Sequence, residues 1–192
     1  MTYTDREQDL IDRAAVYATQ VHEGQERRYT HAPYFTHVAA VANALKARGL
    51  PAIAIAAGYL HDSMEDCGVT EADLIDRFGT GVAGLVIQVT DVSRASDGNR
   101  EVRKELDRLH LRRATALGKS IKLADLADNT ISIATHDPDF AIRYLAEKAR
   151  LLLVLQEGDP VLLRAAYEAM ATAYAILANP DTVRNLWFGR GA

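Results

Sequence analysis

The sequence predicts an all-α protein built as a single helical bundle. Two Asp-Pro pairs, 137–138 and 159–160, each place a helix-capping residue before a proline suited to the first helical turn. Gly49 occupies a helix-stop position, and Pro51 follows where a new helix can start. Runs that alternate apolar and polar residues, as half-buried strands do, are scarce. With 192 residues, of which 48% are hydrophobic, the chain suits one globular domain with a substantial core.

The helices of the N-terminal half follow from local patterns. Residues 5–21 predict the first helix, and "HEGQERRYTHAP" (22–33) follows as a loop. A second helix begins near Tyr34 with apolar residues along one side and ends at Gly49. A third helix opens at Pro51 and carries the His-Asp pair of "YLHDSMED".

Further along, Thr70 and Asp73 resemble a capping box that starts a helix closing at Gly79. The segment "VAGLVIQVT" (82–90) is the only plausible strand, and it suits a buried helix equally well. An irregular loop is expected around residues 93–99. The two Asp-Pro pairs then begin the last two helices.

The distribution of charge narrows the class of binding partner. The net charge is −4, which argues against a general binder of nucleic-acid polymers. The segment from Arg94 to Lys122, however, contains nine basic and four acidic residues. Part of this surplus suits a solvated helix face, and the remainder could serve a polyanion small enough for one pocket.

The compartment is expected to be the cytoplasm. Cys67 is the only cysteine, so an intramolecular disulfide and a multi-cysteine metal site are excluded. The N-terminus lacks the apolar region of a signal peptide, and no apolar run approaches the ~18 residues of a membrane span. We therefore expect a soluble protein with no membrane partner.

One cluster of polar residues carries the functional prediction. The apolar run "PAIAIAAGYL" ends in His61, Asp62, Glu65 and Asp66. On one continuous helix these side chains would share an arc of ~140°. Carboxylates that close repel one another unless a cation or strong donors lie among them, so the cluster is either an exposed acidic helix end or a metal site. The apolar residues before it favour burial, and burial favours a metal.

Further ligands would have to come from distant segments. His37 opens an apolar helix face in "THVAAVANAL", so its imidazole is expected to point inward. Asp125 lies between Leu123 and Leu126 in "IKLADLADN". These two residues are the candidates from outside the cluster.

The motifs "THV", "YLHDSMED", "FGTGVAGLVIQVTD" and "IKLADLADN", in this order and spacing, resemble the HD-domain hydrolases of the RelA/SpoT type. They are most similar to the small stand-alone alarmone hydrolases of that group. The resemblance covers about residues 5–155. We expect a single HD-type domain over residues 1–192, in which the C-terminal helices of 159–192, which match no motif, pack on the motif-bearing part. The implied activity is removal of the 3′-pyrophosphate from (p)ppGpp.

The resemblance also implies roles for individual residues. The metal ligands would be His37, His61, Asp62 and Asp125. Manganese is the usual ion, although these ligand types leave iron, cobalt and zinc open. The catalytic acidic pair would be Glu65 and Asp66. The substrate contacts would be Arg28, Arg100, Arg103, Lys104, Asn129 and Tyr144.

Two departures from the family pattern concern the base and the sugar. Tyr29 stands where relatives commonly have lysine, and His31 where they have glycine. Leu126 and Ala127 replace a basic and a bulky residue. The substrate could therefore be an adenine alarmone or a phosphorylated dinucleotide such as NADPH. A non-catalytic nucleotide-binding module is a second alternative, although a module of that kind has no need of the acidic pair. A homo-oligomer is possible through "TAYAILANP", for which core packing is favoured.

Overall fold

The computed structural model describes residues 2–179, and helices account for the regular structure in that range. The helices are α1 (Asp5–Val21), α2 (Phe35–Ala47), α3 (Ala52–Leu60), α4 (Ser63–Asp66), α5 (Glu71–Val89), α6 (Arg100–Arg112), α7 (Ala116–His136), α8 (Pro138–Leu152) and α9 (Pro160–Ala178). Extended pairing within the described range is limited to one bridge between Glu26 and Pro33. The all-α prediction is confirmed.

Side chains cap the helices where the sequence predicts it. The Thr70 hydroxyl accepts from the Asp73 amide, and the Asp73 carboxylate accepts from the Thr70 amide, which completes a capping box at the start of α5. Asp137 and Asp159 accept hydrogen bonds from backbone amides in the first turns of α8 and α9, each of which begins with proline.

The structure corrects the third predicted helix. The helix ends at Leu60, and α4 begins at Ser63, so His61 and Asp62 lie in a break between two helices. The His61 ring nitrogen Nδ1 donates to the Gly58 carbonyl at 2.9 Å, and the Ser63 hydroxyl donates to the Leu60 carbonyl at 2.6 Å. These side chains bind carbonyls at the end of α3 that backbone amides would otherwise bind.

Segment 82–90, which suits a strand or a helix by sequence, is helical and forms the second part of α5. Gly79 divides α5, because its φ of 82° and ψ of 166° lie outside the helical region. Glycine adopts a positive φ without the strain that a Cβ atom causes. Residues 93–99 are irregular apart from a 3₁₀ turn over Ala95–Asp97, as expected.

Helix α7 occupies the centre of the bundle, where it packs against α2, α3, α5, α8 and α9. Its residues Ile121 and Leu123 are fully buried. Helices α2 and α3 approach closely at Gly58, where an added Cβ would lie 2.6 Å from Leu45 Cδ1 and 3.2 Å from Ala42 Cα. This packing brings the start of α2, the break after α3 and the middle of α7 to one place.

Helix α9 is long and apolar enough to cross a membrane by length and composition alone, a criterion that core helices of soluble proteins also meet. In the structure it packs along α7 and buries Leu162, Ala166 and Met170. The prediction that residues 1–192 form one domain extends to 180–192, which lie outside the described residues.

Candidate metal centre and adjoining cleft

The structure brings together the four residues that the sequence suggests as metal ligands. His37 lies in the first turn of α2, His61 and Asp62 in the break between α3 and α4, and Asp125 in the middle of α7. His37 Nε2 is 3.5 Å from Asp62 Oδ2 and 3.3 Å from Asp125 Oδ1. His61 Nε2 is 3.1 Å and 3.9 Å from the same two oxygens. Both imidazoles are 1% exposed.

This donor set fits a divalent cation. Among the described residues, the Nε2 atoms of His37 and His61 are buried side-chain nitrogens without a hydrogen-bond partner. Unpartnered buried polar atoms are rare and need a reason. Ligand atoms of His37, His61 and Asp62 lie within 4.8 Å of one another, and Asp125 lies beside them. Two imidazoles and two carboxylates suit manganese, iron, cobalt or zinc.

The electrostatics of the cluster favour bound positive charge. Burial raises the pKa of Asp125, but the nearby positive charges, that of the Lys122 ammonium above all, outweigh this effect and lower it. Burial also raises the pKa of Asp62, but the positive charges of His61 and Lys122 outweigh this effect and hold it well below its usual value. Both carboxylates are therefore ionised near neutral pH and available as ligands.

The Nδ1 atom of each imidazole has its own partner, which leaves Nε2 directed at the carboxylates. His61 Nδ1 donates to the Gly58 carbonyl at 2.9 Å, and His37 Nδ1 donates to Asp128 Oδ2 at 2.7 Å. A carbonyl and an ionised carboxylate can only accept, so each Nδ1 carries the hydrogen. Partners of this kind fix the tautomer and the orientation of metal-binding histidines.

Arg27 joins this network from the loop before α2. One guanidinium nitrogen lies 2.7 Å from Asp128 Oδ2, and another donates to Asn129 Oδ1 at 3.2 Å. Asn129 in turn donates to Asp125 Oδ1 at 2.7 Å. Asn129, predicted to contact the nucleotide sugar, thus has its amide engaged with Arg27 and a candidate ligand. The network links the two candidate ligands His37 and Asp125.

Sequence reasoning missed four residues of the centre. Asp128 and Lys122 each lie three residues from Asp125 on α7, which is one helical turn, so the spacing could have indicated both. Lys122 Nζ is 2.9 Å from Asp125 Oδ2. The Tyr34 hydroxyl donates to Asp62 Oδ2 at 2.6 Å. No sequence signal distinguishes Arg27 from the neighbouring Arg28.

The acidic pair lies at the edge of the centre. Glu65 Oε1 accepts from the Asp91 amide at 2.7 Å. Although the Glu65 carboxyl reaches solvent, loss of hydration and the negative charges of Asp91 and Asp62 outweigh the Lys122 ammonium and raise its pKa to about 7. Loss of hydration and the charge of Asp62 also raise the pKa of Asp66. Glu65 can therefore exchange a proton near neutral pH.

A cleft of about 600 Å³ opens between α6 and α8 beside the metal centre. Lys122 and Asp91 line it and also contact Asp125 and Glu65, respectively, so the cleft adjoins the centre. The basic residues that line it outnumber the acidic ones, and they are Arg100, Lys104, Arg108, Lys122, Arg143, Lys148 and Arg150.

Two predicted phosphate-binding residues line this cleft. Arg100 forms two hydrogen bonds with Glu147, at 2.7 and 2.8 Å. Lys104 lies 2.5 Å from Asp91 Oδ2 and 3.1 Å from Asp107 Oδ2. Both cations reach the cleft and are held in place by carboxylates.

Three other predicted contacts lie outside the cleft. Arg103 does not line it. The Arg28 side chain is 76% exposed, 3.9 Å from Asp137 and over the ring of Tyr29. Tyr144 is buried on α8, with its hydroxyl 3.3 Å from the Thr130 hydroxyl.

The two departures from the family pattern in the loop before α2 have structural consequences. The Tyr29 hydroxyl donates to Asp137 Oδ2 at 2.9 Å, and its ring stacks on His136. His31 has a φ of 55°, in the left-handed region that glycine adopts without strain. Its ring lies 3.0 Å from the Glu26 carboxylate.

Comparison with known proteins places these features in context. A sequence profile described as the HD domain matches residues 14–183. A probable guanosine-3′,5′-bis(diphosphate) 3′-pyrophosphohydrolase of Mycoplasma pneumoniae is 33% identical over 133 residues, which are 65% of this chain and 18% of the relative. A GTP pyrophosphokinase of Myxococcus xanthus is 36% identical over 138 residues, which are 70% of this chain and 18% of the relative. The chain thus spans about a fifth of the length of the curated relatives it matches.

Among solved structures, one described as a metazoan orthologue of SpoT that hydrolyses ppGpp and plays a role in starvation responses matches with a TM-score of 0.77. The match covers 89% of this chain and 97% of the other at 24% identity, so it establishes a shared fold.

Proposed function

Because the chain belongs to the HD-domain family, we propose that it is a metal-dependent phosphohydrolase that removes the 3′-pyrophosphate from (p)ppGpp. The products would be GDP or GTP and pyrophosphate. One observation carries the proposal. The unpartnered Nε2 atoms of His37 and His61 face Asp62 and Asp125, next to Glu65 and a cleft lined by cations.

The names of the relatives allow two reactions, and the site residues favour hydrolysis. Relatives named for hydrolysis and for pyrophosphate transfer both match, and each is several times longer than this chain. The chain's own residues combine four candidate metal ligands with an acidic pair, a combination that suits activation of water. We therefore favour hydrolysis.

His37, His61, Asp62 and Asp125 would hold one divalent ion, and we propose manganese. When bound, such an ion supplies Lewis acidity toward a phosphoryl oxygen and acidifies water near neutral pH. The Nδ1 partners of the two imidazoles, the Gly58 carbonyl and Asp128, hold both rings with Nε2 directed at Asp62 and Asp125, where the ion would bind.

Glu65 is the proposed general base. Its pKa of about 7 allows the ionised carboxylate to take a proton from the attacking water at neutral pH. Asp66 follows directly on α4 and also has a raised pKa, which suits it to a proton transfer to the leaving group. Lys122 lies close enough to lower the pKa of Glu65, and it can offset charge that develops on the phosphoryl group.

The cleft would accept the phosphate groups of the nucleotide. Arg100 and Lys104 line it together with Lys122, and cations are the usual ligands of phosphate. No nucleic-acid polymer is needed as a partner, because a cleft of about 600 Å³ has the size of a small-molecule site. A cytoplasmic location stays a prediction.

A second substrate deserves a test because of Tyr29. This residue stands where relatives commonly have a lysine, so the positive charge of that lysine is missing here. The Tyr29 hydroxyl instead donates a hydrogen bond to Asp137. The base contacts can therefore differ from those of guanine-specific relatives. An adenine alarmone or NADPH would undergo the same reaction type at the same centre.

The experiment is nucleotide profiling of the purified protein. Pyrophosphate and phosphate release would be measured from ppGpp, pppGpp, ppApp and NADPH, with manganese, iron, cobalt or zinc, and without added metal. We expect manganese-dependent release of pyrophosphate from ppGpp, and none from the D125A variant. If pyrophosphate is released only from ppApp, the substrate is an adenine alarmone. If phosphate is released only from NADPH, the substrate is a phosphorylated dinucleotide. Binding of nucleotide with no turnover under any condition would contradict the hydrolase proposal and support a binding module.

A further inference from the structure

Lys148 lines the cleft and has no role in the reaction proposed above. It lies on α8 and lines the cleft together with Lys104 and Lys122. Its ammonium lies 5.1 Å from the centre of the Tyr144 ring, which holds the side chain in place. The side chain is half-buried.

The partners of these three lysines differ. Lys122 lies 2.9 Å from Asp125, and Lys104 lies 2.5 Å from Asp91. Within residues 2–179, no carboxylate lies within 4.0 Å of the Lys148 ammonium. Lys148 therefore presents a positive charge to the cleft without a protein carboxylate at ion-pair distance.

The surroundings make this charge costly in the free protein. Burial and the positive charges of Lys122 and Lys104 together lower the pKa of Lys148 to about 8, because the carboxylates of Asp125 and Asp91 offset only part of their effect. An anion in the cleft would relieve both the lost hydration and the repulsion among the ammonium groups. Phosphate is suited to this because one group can accept hydrogen bonds from several cations.

We propose that Lys148 is a further substrate-binding residue, which binds a phosphate group of the nucleotide in the cleft between α6 and α8. This inference rests on the proposed function and specifies its substrate class. The ligand carries a phosphate chain that reaches from the metal centre past Lys122 to Lys148. Nucleotides without such a chain would lose this contact.

The test compares the K148M and K148R variants with the wild-type, manganese-loaded protein. The methionine variant keeps an apolar stem on Tyr144 and removes the charge, whereas the arginine variant keeps the charge. K46M serves as the matched control, because Lys46 is an exposed lysine on α2 that does not line the cleft. Calorimetric titration with inorganic pyrophosphate and with GDP would give the dissociation constants.

Removal of the charge should weaken pyrophosphate binding by about 10-fold or more, the effect of losing one hydrogen bond between charged groups. K148R should stay within about 3-fold of the wild type, and K46M should not change. With ppGpp as substrate, K148M should raise KM more than it lowers kcat. Unchanged pyrophosphate affinity in K148M would overturn the inference. If K148M does not fold, as judged by thermal denaturation, K148Q makes the same charge comparison.

Failure of this inference is distinguishable from failure of the proposed function. If K148M hydrolyses ppGpp with wild-type KM, Lys148 binds no phosphate and the hydrolase proposal stands. In the opposite outcome, the wild type binds pyrophosphate more tightly than K148M and yet releases no pyrophosphate from any alarmone. In that case the phosphate site is confirmed and the hydrolase proposal fails.

Discussion

The Nδ1 nitrogen of His37 lies 2.7 Å from Oδ2 of Asp128, and this contact determines which side of the imidazole faces Asp62 and Asp125. Arg27 lies 2.7 Å from the same carboxylate oxygen. The orientation of a candidate metal ligand on α2 therefore depends on a carboxylate of α7 and on a cation from the loop between α1 and α2.

We predict that Asp128→Ala weakens metal binding about 10- to 100-fold, the usual effect of removing a carboxylate that orients a metal-binding histidine. Metal content after dialysis and titration with manganese would measure this effect. Asp76→Ala is the control, because Asp76 is an exposed carboxylate on α5. Wild-type manganese affinity in Asp128→Ala would show that the contact does not position His37.

Asp125→Ala should abolish metal retention and hydrolysis together. The carboxylate faces both imidazoles, at 3.3 Å from His37 and 3.9 Å from His61, and no other carboxylate of α7 takes that position. Removal of one of four candidate ligands should lower affinity by more than about 100-fold. Metal analysis beside an activity assay would check this, and full metal content with normal turnover would exclude Asp125 as a ligand.

The proton-transfer role of Glu65 predicts a pH dependence. Loss of hydration raises the pKa of Glu65 to about 7, with Asp91 and Asp62 raising it and Lys122 lowering it. A general base acts only when ionised, so kcat/KM should rise with pH up to about 7 and fall about 10-fold per unit below that. Glu65→Gln should keep the metal, lose turnover by about 100-fold or more and remove this limb of the profile. Normal turnover in that variant would remove the assignment.

Arg100→Ala should raise KM by roughly 3- to 10-fold and change kcat less, if Arg100 binds phosphate equally in the ground and transition states. The salt bridge to Glu147 moderates the effect, since part of the positive charge is already neutralised. Glu147→Gln is the complementary variant. It removes the negative charge that pairs with Arg100, so Arg100 should bind phosphate more strongly and KM should fall. Steady-state kinetics with ppGpp would separate the two parameters. A fall in kcat alone would mean that Arg100 acts in the transition state.

The close approach of α2 and α3 predicts a stability effect. A Cβ at position 58 would lie 2.6 Å from Leu45 Cδ1, so Gly58→Ala should destabilise the protein by about 1–3 kcal/mol through overpacking. Gly84→Ala is the matched control, since nothing lies within 4 Å of a Cβ at that helical position of α5. It should stabilise by about 0.5–1 kcal/mol through helix propensity. Denaturant unfolding would measure both, and equal stability of the two variants would contradict the packing argument.

Local patterns in the sequence determined where several helices begin. The capping box of Thr70 and Asp73 and the Asp-Pro pairs at 137–138 and 159–160 act within one or two helical turns, so their effect can be read from neighbouring residues. The apolar run that ends in His61 and Asp62 likewise indicated a buried polar cluster. The residues that converge there could be proposed from their motifs, but their distances could not.

Only the tertiary structure decided the break at His61 and the partners of the centre. The break depends on side chains that bind the carbonyls of Gly58 and Leu60, a competition that helix periodicity does not record. Arg27 and Lys148 gain their significance from groups about 100 and 26 residues away in the chain, Asp128 and Lys122, because packing of α2, α7 and α8 brings distant charges within reach of one another. Sequence spacing describes neighbours along one helix, whereas electrostatic energy depends on distance through space.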